Sequence, residues 1–428
     1  MYWNCARIAT EEHAPRAKKL TEIEHQIVHA QCALTKLLDE KERMASALNE
    51  HHDPLIRRFP PELASRIFLY TLPYQPSTAV FDSVFEEKTH IKAVFKLGHV
   101  CRHWRAVAHS TPELWTIFSA TISPRNCVSL VQRSRDWLER SRGLPLLLQL
   151  RVSHPGNEMV SHAGQKVVAS ALLHSQRLMV LSLKVPTHWL NWMSEKLLSQ
   201  SMDGLKHLTF GVADEISEED ILCLNASPRS LTLFQAWLNQ IPMDWSQLSC
   251  VSAGTTSLTL GECTQIFRNA PRISFCHLHD ITEDLDSITI VSNSSIRTLI
   301  IHTFPDIFWD HFSFPSLEIL DVTNPQHEHD GSWVHLKDLI HRSGSNIKEL
   351  RVDDGGNYQQ AIVEVLEFTP DLEELVLRGK IHNNSFFSLI DDAVTSADVA
   401  GSIFLGKLRS LQCTTFCFDY GWSWLIVF

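Results

Sequence analysis

Apolar residues near the start of the chain recur in alternating steps of three and four. Leu20, Ile23, Ile27, Ala30, Leu34, Leu37, Met44 and Leu48 fill a and d positions over about four heptads, with Lys41 as the polar exception. The spacing predicts a helix over 20–50, and residues 1–19 ahead of it read as a flexible, unstructured lead. Leu38 and the alanines at 33, 45 and 47 widen the apolar stripe, and few charges stand where coiled-coil partner choice is set. A wide stripe fits a helix lying on the body of its own protein better than self-association through 20–48. His51, His52, Asp53 and Pro54 end the helix, because the residue before a proline avoids helical geometry.

The next segment, 55–72, reads LIRRFPPELASRIFLYTL. Pro60 and Pro61 suit a helix start, where an N–H has no intrahelical partner, and Glu62 suits the positive end of the dipole. Leu63, Ile67 and Tyr70 share one face, while Phe68 and Leu72 lie on another. A short helix with two apolar faces calls for two partners. Leu97, Val100, Cys101, Trp104, Val107 and Ala108 then match one helical template, with Arg102 and Arg105 on the wet side. Ser110 to Trp115 reads as a turn followed by a large apolar pair.

Further on, 127–142 predicts a helix with Val128, Val131, Trp137 and Leu138 inward, and Leu146–Val152 a buried strand. A unit then recurs: apolar, two others, apolar, one other, apolar. It appears at Leu178-Leu181-Leu183, Leu205-Leu208-Phe210, Leu248-Val251-Ala253 and Ile273-Cys276-Leu278. It continues at Ile296-Leu299-Ile301, Leu317-Leu320-Val322, Ile347-Leu350-Val352, Leu372-Leu375-Leu377 and Leu408-Leu411-Cys413. Many steps are roughly 20–30 residues, close to a leucine-rich-repeat period. Pro271, Pro315 and Pro370 stand just before a unit, where a proline stops a helix and lets a strand begin.

FPPEL, RIF, VCRHWRAVA and PELW, in that order and spacing, resemble an F-box. The wording is similar to F-box proteins of mushroom-type fungi, in which a coiled-coil-like helix precedes the F-box and a leucine-rich-repeat-like region follows it. The resemblance covers about 60 residues, within 53–118. Phe59 replaces the usual leucine, and 73–91 make a longer loop than the minimal F-box has. The resemblance implies docking to the Skp adaptor of a cullin–RING ubiquitin ligase. Pro60, Leu63, Ile67, Phe68, Val100, Cys101 and Trp104 would divide between that interface and the local core. The implied architecture is an N-terminal helix, a helical F-box, then an irregular leucine-rich-repeat-like α/β solenoid over 119–428. The asparagine that usually follows each repeat's third apolar residue is missing, with Pro186, Ala213 and Phe304 among its replacements.

Composition narrows the rest. The 428 residues are 44% hydrophobic and 20% charged, with net charge −11 spread thinly. That argues against a nucleic-acid groove, which needs clustered Lys and Arg. No apolar leader or membrane-spanning run appears, and ten scattered cysteines form no C-x-x-C pair. Reduced thiols in a cytoplasmic and/or nuclear protein are expected. Glycine-rich phosphate loops and nucleophile or zinc-protease motifs are lacking. His327-Glu328-His329-Asp330 reads as a solvated loop rather than a metal site, and Asp353-Asp354 and Asp391-Asp392 as turn or helix-end carboxylates. No cofactor and no catalysis are expected. The expected function is a substrate-recruiting ligase subunit, or alternatively an F-box scaffold acting outside a ligase. Phe416–Phe428 ends in aromatics without a polar cap, which suggests an incomplete C-terminal end.

Overall fold

The computed structural model describes residues 3–52, 59–72, 87–197, 200–214, 220–236, 238, 241–284, 290–323, 331–353, 359–378, 385–399 and 404–414. The chain divides into two compact units, Met1–Trp115 and Thr116–Phe428.

The first unit is helical. Helix α1 spans Trp3–His52, so it runs back through the segment expected as an unstructured lead. Residues 5–19 are rich in Ala, Glu, Lys and Arg, good helix formers, and the helix continues through Pro15, which removes one backbone donor. The expected packing of the heptad stripe on the protein's own body is not found. Its large apolar side chains are exposed, from Ile23 at 44% to Leu37 and Met44 at 64%.

Helix α2 is Pro61–Thr71, entered from Pro60 at φ −61° and ψ 155°, so the proline pair opens the helix as its sequence indicates. Helix α3 is Glu87–Val100 and α4 is Arg102–Ser110. The single helix expected through 97–108 is therefore two. Cys101 is extended and caps α4, its Sγ accepting from the Trp104 N–H at 3.4 Å. Arg105 crosses the break and donates from Nε to the Gly98 carbonyl at 2.8 Å. These bonds occupy backbone groups that a helix end would leave unpaired. A short 3-10 turn, Pro112–Trp115, follows, with Leu114 and Trp115 buried.

The second unit is mixed α/β. Its first strands are β1 (Ile117–Ile122), β2 (Leu146–Val152), β3 (Leu178–Val185), β4 (His207–Val212), β5 (Ser230–Phe234), β6 (Cys250–Thr259) and β7 (Phe275–Thr282). The others are β8 (Val291–Ser292), β9 (Thr298–Thr303), β10 (Phe312–Ser313), β11 (Ile319–Thr323), β12 (Glu349–Asp353), β13 (Glu374–Arg378) and β14 (Ser410–Thr414). Twelve form one parallel sheet in chain order; β8 and β10 pair separately. The helices between strands include α5 (Cys127–Arg140), α6 (Glu158–Leu172), α7 (Leu190–Leu197), α8 (Leu260–Asn269), α9 (Phe308–His311), α10 (Gly331–Ser343), α11 (Gln359–Glu367) and α12 (Ser385–Val399).

Where parallel strands follow one another in an order that never reverses, the general preference for one crossover hand sends the connections over one face of the sheet. Burial follows. Along β2 the residues alternate, with Leu148, Leu150 and Val152 buried, Gln149 half-buried and Arg151 exposed. The apolar triplets from Leu178 to Leu377 are buried at every position. Two strands lacked the expected signal. β5 carries Leu231 and Leu233, but Pro228 stands where the first apolar residue of the unit would be. β1 lies across the expected end of the helical module at 118. In α5 the inward residues are Cys127, Leu130, Ser134, Trp137 and Leu138, and Val128 is exposed. Buried Ser134 satisfies its hydroxyl on the Val131 carbonyl, so a polar letter hid the true stripe.

Gly164 in α6 offers a test of packing against propensity. A Cβ there would lie 2.3 Å from Cη2 of Trp189 and 3.3 Å from Cδ1 of Ile122. The indole is held, because Trp189 is fully buried and donates from Nε1 to Ser161 Oγ at 2.9 Å. Glycine-to-alanine in a helix gains about 1 kcal/mol, whereas overpacking costs roughly 1–3 kcal/mol. Gly164→Ala is expected to lower the denaturation midpoint, and Trp189→Phe in the same chain to recover part of the loss.

Candidate functional site

The residues singled out in the first unit separate by depth. Phe68 is 1% exposed and Cys101 is buried. Phe68 lies with its ring centroid 4.7 Å from that of half-buried Trp104. Pro60 is exposed, Leu63 is 44% exposed, and Ile67 and Val100 are half-buried. The two faces of α2 thus have different fates. Ala64, Phe68 and Leu72 turn inward. Phe59, Leu63 and Tyr70, the last 89% exposed, form an open apolar side continuing onto Ile67.

Hydrogen bonds fix the helix. Ser65 Oγ and Thr111 Oγ1 lie 2.7 Å apart, and the Thr111 hydroxyl also reaches the Val107 carbonyl at 2.7 Å. Trp115 donates from Nε1 to the Ala108 carbonyl at 2.8 Å and meets the Phe95 ring edge-on at 6.4 Å. The open side of α2 is therefore presented from a held backbone.

A second feature, which no residue motif marks, lies on the sheet of the other unit. The residue between the last two apolar positions of each unit faces away from the core. Strand register aligns Ser119, Gln149, Ser182, Thr209, Thr232 and Ser252 in one row. The row continues through His277, Ile300, Asp321, Arg351, Val376 and Gln412. Its signal was present in the repeat spacing, but the identities vary too much for a motif.

Polar side chains gather on this face around His277 and Asp321. His277 Nε2 and His302 Nε2 are 3.0 Å apart, and the His279 ring lies tilted against that of His302 with centroids at 5.3 Å. Ser252 Oγ lies 3.4 Å from His277 Nδ1. Asp321 is buried beneath two cations. Arg378 donates to both of its oxygens at 3.1 and 3.2 Å, and an Arg351 nitrogen lies 3.9 Å from it. Arg351 also pairs with Glu349. The charges balance, so this face offers donors and acceptors rather than a strong field. No group of three metal-ligating side chains that could hold an ion occurs among the described residues.

Asp353 ends β12, and Asp391 and Asp392 lie within α12. Residues 327–330, 354–356 and 416–428 lie outside the described residues, as does most of the expected loop over 73–91; α3 already begins at Glu87. The described cysteines are free thiols, and burial pushes the Cys276 thiol far up. No described helix is long and apolar enough to cross a membrane.

No protein-family model matches the chain, and no curated protein matches it. The functional reading therefore rests on the residues and their placement.

Four histidines share one direction of shift. Burial holds His90, His174, His207 and His302 below the usual imidazole range; nearby Arg177 assists at His174, Lys206 and Arg229 at His207, and His277 and His279 at His302. The folded chain then binds protons more weakly than the unfolded chain. The stabilisation is present above about pH 6.5 and is lost as pH falls through the unfolded value toward the lower folded ones. The thermal midpoint is expected to fall between about pH 7.5 and 5.5. His90→Phe should flatten the first unit's share of that fall, and His302→Gln part of the second's, which His174 and His207 also carry. An unchanged slope in both variants would refute the assignment.

Proposed function

We propose that this chain is an F-box adaptor that recruits a protein substrate to a cullin–RING ubiquitin ligase. The first unit docks onto a Skp-type adaptor. The second, an irregular leucine-rich-repeat-like α/β solenoid, presents the face of its sheet that carries the His277 and Asp321 groups to the target. The observation that carries the reading is the two-sided helix α2, whose inner face is packed on Trp104 while its outer face stands open. Pro60, Leu63 and Ile67 belong to the docking side. Phe68 and Cys101 belong to the core that aims it, with Val100 and Trp104 at the edge. The chain forms or breaks no bond itself. Holding a target near a ubiquitin-charged enzyme borne elsewhere raises local concentration, and that is the mechanism. This role places the chain in the cytoplasm and/or nucleus.

Affinity capture with a Skp-type adaptor tests the reading. Wild type is expected to bind and to bring cullin with it. Trp104→Ala should weaken capture, because Phe68 loses the ring that fixes α2. Failure of the wild type to bind would sink the proposal. Adaptor without cullin would redirect it to a scaffold outside the ligase.

A further inference from the structure

We infer that α1 pairs in parallel, in register, with α1 of a second copy of this chain. The inference is independent of the adaptor reading. Between Leu20 and Leu48 the seam of a and d positions runs about 43 Å, and every side chain on it is exposed. Contiguous apolar surface of that extent marks an interaction site.

The helix is attached to its own unit on the opposite side. Ser46 Oγ accepts from the Arg102 N–H at 3.1 Å, and Glu42 lies 3.7 Å from the Arg105 guanidinium. At 100° per residue these f and b positions lie about 170° and 130° from the centre of the seam. The protein's own body thus fixes α1 by its back and leaves the seam outward.

The spacing selects a like helix as the occupant. A repeat of 3.5 residues held over four heptads matches knobs-into-holes packing along a partner of the same period. Lys41, the one charge on the seam, chooses the orientation. In a parallel pair its hole is formed by Leu37, Glu40, Lys41 and Met44 of the second copy, so each ammonium meets a Glu40 carboxylate. An antiparallel pair would set Lys41 against an apolar d residue. A polar residue at one a position fixes register and strand number in this way. The alanines at 33, 45 and 47, which widen the stripe, leave the flanks low enough for close approach. Pairing would give each particle two copies of both docking surfaces, and with them avidity for multivalent targets.

Light scattering on the full chain at about 10 µM should give twice 48.8 kDa. Ile27→Asp with Leu34→Asp is expected to weaken pairing by at least about a hundredfold and return the monomer mass. Circular dichroism should still show each copy folded at room temperature, since neither side chain is buried within one copy, while the concentration dependence of the thermal midpoint disappears. Glu40→Lys should dissociate the pair, and Glu40→Lys with Lys41→Glu should restore it. In a Cys32→Ser background, Ala30→Cys should cross-link the copies on oxidation, because like d positions face each other only in a parallel pair. A monomeric wild type, or a dimer that survives the aspartates, overturns the inference. A dimer that Ala30→Cys fails to cross-link overturns the parallel register.

Discussion

Leu63→Asp is expected to weaken capture of a Skp-type adaptor at least about thirtyfold while leaving the first unit folded, and Phe68→Ala to do the reverse first, unfolding the unit and losing capture only as a consequence. The two residues are five apart on one helix, yet they face opposite environments. Leu63 is 44% exposed and Phe68 is 1% exposed. Surface substitutions usually change stability by less than about 0.5 kcal/mol. A carboxylate forced into an apolar interface costs far more. With roughly 2–5 kcal/mol lost, capture should fall by about thirtyfold to several thousandfold. Truncating a buried phenylalanine costs about 3–5 kcal/mol, a large part of the 5–15 kcal/mol that holds a domain together. Circular dichroism and adaptor capture on both variants separate the effects. Capture by Leu63→Asp at wild-type affinity would remove the outer face of α2 from the interface.

Much of this was legible along the chain, and the exceptions have physical causes. Apolar triplets marked nine of the sheet strands, because a parallel strand buried on its core face must repeat them. β5 escaped because Pro228 fills an apolar slot without an apolar pattern. The two faces of α2 were readable, but which one meets the core was not, since that depends on where Trp104 arrives from distant sequence. The break at Cys101 was hidden because the residues on both sides keep helical spacing; only the cap geometry reveals it. The stripe on α1 was plain, whereas its exposure was not, because width alone does not say which surface is nearby. The polar row on the sheet has register but no constant residue, so only the fold aligns it.

Phe312→Ala is expected to be the most damaging single truncation in the second unit and to split its unfolding. Phe312 is fully buried, with Phe267 at 4.8 Å and Phe308 at 4.9 Å, and it stacks on Phe314 at 6.0 Å between centroids. Trp309 extends the cluster onto Phe304 and Phe308 at 4.9 and 5.0 Å. Arg342 donates to the Phe312 carbonyl at 2.8 Å and also to that of Trp309. Asn293 ties the same region together, donating from Nδ2 to the carbonyls of Phe267 and Ala270 at 2.9 and 3.2 Å. Losing the ring should cost about 3–5 kcal/mol through transfer and cavity terms. Because the main sheet follows chain order, a strand has only sequential neighbours to support it, and damage in the middle cannot be shared across the array. Long arrays lose all-or-none unfolding when one interface fails. Hydrogen exchange on Phe312→Ala should therefore show protection lost first in β7, β9 and β11 while β1 to β4 keep theirs. Loss of protection at one rate through all twelve strands would mean that the sheet is a single cooperative core, and that its neighbours compensate over longer range than strand order alone allows.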